Sequence, residues 1–284
     1  MHLSSWEDVT PPGLGATTGG GATRNSVMDA FTKVQSQWEG VESEMYTDVL
    51  GLVTTAIGYL IDDKSGINGY GPALVIPWIH KSDGQPATQA EIIQDWQTVK
   101  NAHKASGSYD APNDRKITQL KIPPIVIQDL TASRMADNEK YLLQSLPGFA
   151  KFPADAQMAI HGMAWAMGGA FIPKDGFHAF ADAVNRGDWA AAKANSNFKG
   201  AAPQRKAGHD TMFDNAAVVA ANKLDPDKLW YPASAPTTAV GSALATLRRP
   251  MVVVSVVAGV VAIGAGVYLA RRRSVAVRRP AMAS

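Results

Sequence analysis

Glu39 is followed by Asp48 and then by Thr54 in a Glu39-x8-Asp48-x5-Thr54 spacing, inside the stretch EGVESEMYTDVLGLVT. Two carboxylates and a hydroxyl suit general acid–base work. One carboxyl gives a proton to a leaving group, the other activates or orients a water, and the hydroxyl holds that water. The acid would lie beside Trp38, where partial desolvation favours a carboxyl that keeps its proton. The same residues also have a plainer use, with Glu39 on a solvated helix end and Asp48 in a turn. Spacing alone does not separate the two readings.

The elements that must position these residues follow from hydrophobic periodicity. Met28, Phe31, Val34 and Trp38 recur at helical spacing behind Asn25 or Ser26 as a cap, so a helix ends at Trp38-Glu39-Gly40. Tyr46 to Ile61 is rich in Val, Thr, Ile and Tyr and broken by Gly51 and Gly58, which predicts short strands and turns. A helix restarts at Thr88, with Glu91 completing a capping box and Ile92, Trp96 and Val99 on one face. Further helices are expected over 125–146, after Pro123-Pro124, and over 155–167 and 176–185, with another starting at Asp188. The fold class expected is α+β: a helix, a small β-sheet, then a mainly helical remainder.

In this order and spacing the chain resembles the tailed-phage lysozymes, muramidases of the endolysin type. Glu39, Asp48 and Thr54 carry the resemblance, with Tyr46, Gly51 and Ile57-Gly58 around them. Phe152-Pro-Ala-Asp-Ala-Gln157 and Met163-Ala-Trp165-Ala-Met-Gly168 look like that family's buried helix, and Arg205 and Trp230-Tyr231 fall where its helical lobe closes. The resemblance covers residues 26–231. It implies a lysozyme-like fold, catalysis by Glu39, Asp48 and Thr54, bacterial peptidoglycan as substrate and an inverting outcome. In that reaction Glu39 protonates the glycosidic oxygen, Asp48 activates a water, and the Thr54 hydroxyl holds it. Two departures stand out. The family's Gly-His pair after the threonine is Gly58-Tyr59 here, and its Thr-Ile-Gly run is Thr54-Thr55-Ala56, which makes Thr55 an alternative to Thr54. The stretch Asp62 to Ser108 is also longer than in compact members, as an inserted cleft or lid segment would be. Two other readings stay open: a lytic transglycosylase, which needs only the glutamate, and a non-catalytic virion or wall-binding protein that keeps the fold.

Other chemistries find little support. The six histidines lack metal-ligand spacing, no serine lies in a Gly-x-Ser-x-Gly elbow, and the glycine run 19–21 has no Lys-Thr after it. Asp62-Asp63, Asp129, Asp225 and Asp227 look like turn and cap residues, and no metal or cofactor is expected. The chain has no cysteine, which excludes disulfides and a thiolate nucleophile. Its net charge of +2 hides an asymmetry, because residues 248–284 hold seven arginines and no acid. The remainder is net acidic, so nucleic acid is not an expected partner.

That basic tail surrounds Met251–Ala270, an uncharged apolar run of 20 residues between arginine clusters. At 1.5 Å per residue it spans roughly 30 Å, the hydrocarbon thickness of a bilayer, and is expected as a transmembrane helix. Ala258, Ala262, Gly266 and Ala270 form a small-residue face through which two copies could pair. The expected organisation is therefore a Gly-rich arm (1–25), a lysozyme-like domain (26–231), a linker (232–250), the membrane helix (251–270) and a basic tail (271–284). No export signal is expected in residues 1–24. A single-pass protein results, either in a virion or in the host inner membrane with its domain facing the periplasm.

Overall fold

A computed structural model describes residues 21–106 and 111–237. The expected membrane helix, the basic tail and most of the arm and linker lie outside these residues. No helix among the described residues is long and apolar enough to cross a membrane.

The first helix, α1 (Asn25–Glu39), buries Val27, Phe31, Val34 and Gln35 on one face. Its N-cap is Arg24, in extended conformation and without a side-chain cap, so neither Asn25 nor Ser26 caps it. Arg24 is held instead from outside the helix: its N–H donates to Gln157 Oε1 (2.8 Å), and its guanidinium pairs with Asp227. The helix stops at Gly40, whose φ of +75° suits a residue without a side chain.

Three strands follow as an antiparallel meander, β1 (Glu42–Thr47), β2 (Val53–Ala56) and β3 (Tyr59–Leu60). Tyr46 pairs with Thr54 and Thr54 with Leu60. The β-branched and aromatic residues of this stretch form the sheet that their composition predicts.

The segment expected as an insertion packs against the sheet as a support. It contains β4 (Ile79–His80) and α2 (Gln89–Ser106); α3 (Ala111–Ile117) and β5 (Leu120–Lys121) follow it, with β4 and β5 paired antiparallel. The Thr88–Glu91 capping box forms as expected, with the Thr88 N–H donating to Glu91 Oε2 at 2.7 Å. Trp96 is buried in α2, and its indole N–H donates to Ile61 O (3.1 Å), tying α2 to the end of β3. The Thr47 N–H donates to Asp114 Oδ2 (3.0 Å), and Ile122 N–H to Ser43 O (2.8 Å), so α3 and the β5 strand are fastened along β1. A segment fastened this closely is a buttress for the sheet, not a lid.

The helical part begins with α4 (Pro124–Ser145), whose 22 residues span roughly 33 Å and reach from the sheet to the helical core. At the centre lies α5 (Ala154–Met167), in which Ala154 to Trp165 are all buried. A helix buried on every side belongs in a core, and here α1, α4 and α9 (Pro203–Asn222) surround it. Between α5 and α9 run α6 (Phe171–Lys174), α7 (His178–Asn185) and α8 (Trp189–Ala194).

The folded body is larger at both ends than the sequence suggests. Ala22 and Thr23, counted with the arm, donate backbone N–H bonds to Glu139 at 3.0 and 2.7 Å. Beyond Tyr231, Ala235 is buried and its N–H donates to Asn215 Oδ1 at 2.8 Å. Asp155, fully buried, accepts the Trp230 and Tyr231 N–H groups (both 2.9 Å) and so closes the C-terminal segment onto α5.

Candidate active site

Glu39 is the last residue of α1, and its side chain keeps about a third of its surface exposed (33%). Its Oε1 takes two donors. One is Nη2 of Arg205, a nearly buried guanidinium on α9; the other is Nε2 of Gln35, one turn back on α1, at 3.4 Å. Its Oε2 accepts no hydrogen bond from the described residues. Trp38, expected beside the acid, is packed among aromatic neighbours. Its ring lies edge-on to His209 and Tyr231, with centroids 5.3 and 6.4 Å away, and Arg205 lies over it at 5.8 Å. The tryptophan thus packs the wall behind Arg205, and Arg205 holds the acid. Gly208 makes the wall possible, since a Cβ there would come within 2.5 Å of the Trp38 ring.

Arg134, on α4, joins this wall to the sheet. Nη1 donates to Gly58 O (2.9 Å) and Nη2 to Trp165 O (2.8 Å), while the guanidinium stacks 4.1 Å from the Trp165 ring. Burial lowers its pKa from the ordinary arginine value, and Glu39, then Tyr59 and Tyr46, oppose that shift. Acid and sheet thus share one cationic neighbour. Tyr59, in place of the histidine that the family resemblance would lead one to expect, has its phenol pKa raised by burial and by Asp137.

Asp48 stands just past the other end of β1, in the β1–β2 turn. The Leu50 and Leu52 N–H groups both donate to its Oδ1, at 2.8 and 2.9 Å. Asp48 N–H donates to Leu52 O and Gly51 N–H to Asp48 O, each at 2.9 Å. Asp48 is therefore a turn-former as well as a candidate base, since Oδ2 takes part in none of these bonds. Thr54 and Thr55 are both buried on β2. Thr54 donates its hydroxyl to Tyr46 O (3.3 Å) and Thr55 to Glu42 O (3.4 Å). A hydroxyl that spends its proton this way still has lone pairs to accept from a water. The three expected residues are thus spread along one strand pair: Glu39 before β1, Asp48 after it, and Thr54 opposite Tyr46. No hydrogen bond joins Glu39 to Asp48 among the described residues.

Sequence reasoning passed over Gln35 and Arg134, although both carry a readable signal. Gln35 falls on the buried stripe of α1, and Arg134 lies between Leu130, Thr131, Met135 and Asn138 on that of α4. A polar residue in such a stripe needs a partner. Among the described residues no group of three or more His, Asp or Glu could hold a metal ion. His161 is fully buried and packed edge-on against Phe31 and Phe149, and burial lowers its pKa to about 4. It bonds the Thr23 hydroxyl at 2.7 Å and lies in the core, away from the acid. Comparison with models of known protein families and with characterised proteins gives no match.

Proposed function

We propose that this chain is a peptidoglycan hydrolase of the muramidase type. It would cleave the β-1,4 bond between N-acetylmuramic acid and N-acetylglucosamine, held at a membrane by residues 251–270, for local opening of a bacterial wall by a phage. The observation that carries this reading is the state of Glu39. Arg205 and Gln35 fix one oxygen of its carboxyl, the other accepts no bond from the described residues, and the group stands where α1 meets the sheet. A carboxyl so held can present one oxygen to a glycosidic bond as general acid. Asp48 holds its turn through Oδ1, which leaves Oδ2 to take a proton from water, and Thr54 can accept a hydrogen bond from that water. All of β1 separates the two carboxylates. An inverting outcome needs a carboxyl separation of about 6.5–9.5 Å, and about 5 Å would mean retention.

The test is digestion of purified peptidoglycan by the full chain in detergent, beside Glu39→Gln, with mass spectrometry of the released muropeptides. Reducing-end products from the wild type alone are expected. Anhydro-muramyl products would replace the muramidase by a transglycosylase. No release from walls of several chemotypes would leave a wall-binding or virion structural protein.

A further inference from the structure

The β1–β2 turn that carries Asp48 has an exposed tip, with Val49 and Leu50 at 79% and 77% exposure. No described residue covers those two side chains, so the turn must be held from beneath. Asp62, just past β3, is completely buried as a side chain and faces Lys100 of α2, Oδ2 to Nζ 2.6 Å. The same Oδ2 accepts the Val53 N–H (3.1 Å), and Oδ1 accepts the Lys64 N–H (2.7 Å). Lys100 Nζ also donates to Gly51 O at 2.8 Å and lies 5.6 Å from the centre of the Trp96 ring. The pair therefore grips the backbone at Gly51 and at Val53. Between those points is Leu52, which donates to Asp48 Oδ1 and accepts from Asp48 N–H. Next after Val53 is Thr54. A second residue of α2, His103, presses the same spot: a Cβ on Gly51 would come within 2.5 Å of its imidazole.

We infer that the Lys100–Asp62 ion pair positions Asp48, fixing its turn from the supporting segment and setting the register of Thr54 at the same time. Energetics favour this over a role in stability alone, because a buried ion pair usually gains little over apolar residues of similar volume. What the charges add is two directional anchors, a carbonyl acceptor at Gly51 and an amide donor at Val53, that an apolar pair cannot replace. Lys100 and Asp62 are positioning residues, and their effect on the reaction rests on the muramidase reading above.

The test compares the full wild-type chain with the double variant Lys100→Met/Asp62→Leu, which removes both anchors and leaves no lone buried charge. Amide hydrogen exchange is followed at Leu50 and Leu52, with Met163 in the core as reference, alongside kcat and KM on purified peptidoglycan. Exchange at Leu50 and Leu52 should rise by about tenfold or more with Met163 unchanged. A loosened base should lower kcat by roughly 10- to 100-fold with KM nearly constant. Wild-type exchange at the two leucines, or wild-type kcat in an active background, overturns the inference. A wild-type chain that digests no wall defeats the muramidase reading instead, and the exchange comparison then decides alone whether the pair holds the turn. Should the double variant not fold, Lys100→Arg retains the charge. It is expected to show a smaller rise in Leu52 exchange and a parallel fall in kcat, and wild-type values of both overturn the inference.

Discussion

Glu39 and Asp48 stand at opposite ends of β1, and the means that hold them differ in kind. Glu39 is fixed by side chains from elsewhere, above all Arg205, which is 166 residues away in sequence, with Arg134 of α4 nearby. Asp48 is fixed by its own turn, through amides two and four residues ahead. The carboxyl that would deliver a proton in the proposed reaction is thus set against the helical core, where α1, α5 and α9 pack. The carboxylate that would meet a water in that reaction sits on a hairpin whose tip is exposed. The comparison teaches that Glu39 depends on partners distant in sequence, and Asp48 first on its own turn and then on the support beneath it, so changes around Glu39 should spare the turn.

Exchanging each carboxyl for its amide breaks the comparison most sharply. Glu39→Gln should lower the rate of wall digestion by about 10³-fold, equivalent to about 4 kcal/mol of transition-state stabilisation. Asp48→Asn keeps an oxygen that can accept from Leu50 and Leu52, so its fold and melting temperature should match the wild type while activity falls by a similar factor. An active Asp48→Asn would mean that Asp48 only forms the turn. Asp48→Ala, which removes the acceptor, should also destabilise the chain, by roughly 1 kcal/mol.

Acid should strike the helical side first. His161 is neutral in the fold down to about pH 4, whereas an unfolded imidazole protonates near 6.5. Between those values the unfolded chain binds more protons. The stability that the neutral ring contributes above pH 6.5 is therefore lost as pH falls toward 4, about 3 kcal/mol in all. His209, with its pKa lowered to about 3 by burial and then by Arg205, acts in the same direction. Asp95 and Asp155, raised by burial, oppose it. Thermal melts at pH 7 and 4.5 on the wild type and His161→Gln isolate the term: the drop in melting temperature should be smaller in the variant. An equal drop would remove His161 as the cause.

The wall behind Arg205 provides the next contrast. Gly208→Ala would place a Cβ within 2.5 Å of the Trp38 ring, which has Tyr231 and His209 on its other sides. Overpacking of this kind should cost about 2 kcal/mol, or about 6 °C in melting temperature for a body of this size. The turn of Asp48 should keep its amide protection, since it shares no contact with Trp38.

The same contrast explains what the sequence reveals. Asp48 is legible because its setting is local: Asp followed by Gly51, between β-formers, specifies a turn and its strands. The Thr88 capping box and the helix stop at Gly40 are legible for the same reason. The partners of Glu39 are not, because no pattern within one segment links residue 39 to residue 205. The β4–β5 pair is two residues a side and gives almost no periodic signal. The helix α9 hides for a related reason: its apolar residues mix with Arg205, which holds Glu39, Asn215, which holds Asp155, and His209, which packs on Trp38. The docking of Thr23 on Glu139 and His161 likewise depends on α4 and α5, more than 100 residues away.

Gln35 separates the two roles of the acid's surroundings most finely. Its amide is fully buried, its Nε2 donates to Glu39 at 3.4 Å, and its Oε1 has no partner. A bond that long is weak, and an orphaned buried acceptor costs roughly 1–3 kcal/mol. Gln35→Leu keeps the volume, removes the orphan, and leaves Arg205 as the remaining donor to Oε1 among the described residues. The variant should therefore be more stable, by about 0.5–1 kcal/mol, and slower, with kcat about threefold lower because Glu39 is less firmly oriented. Calorimetric melting and muropeptide release on the same preparation measure both. A gain in stability with full activity would show that Arg205 alone orients the acid. A loss of stability would show that the 3.4 Å contact is worth more than its length implies.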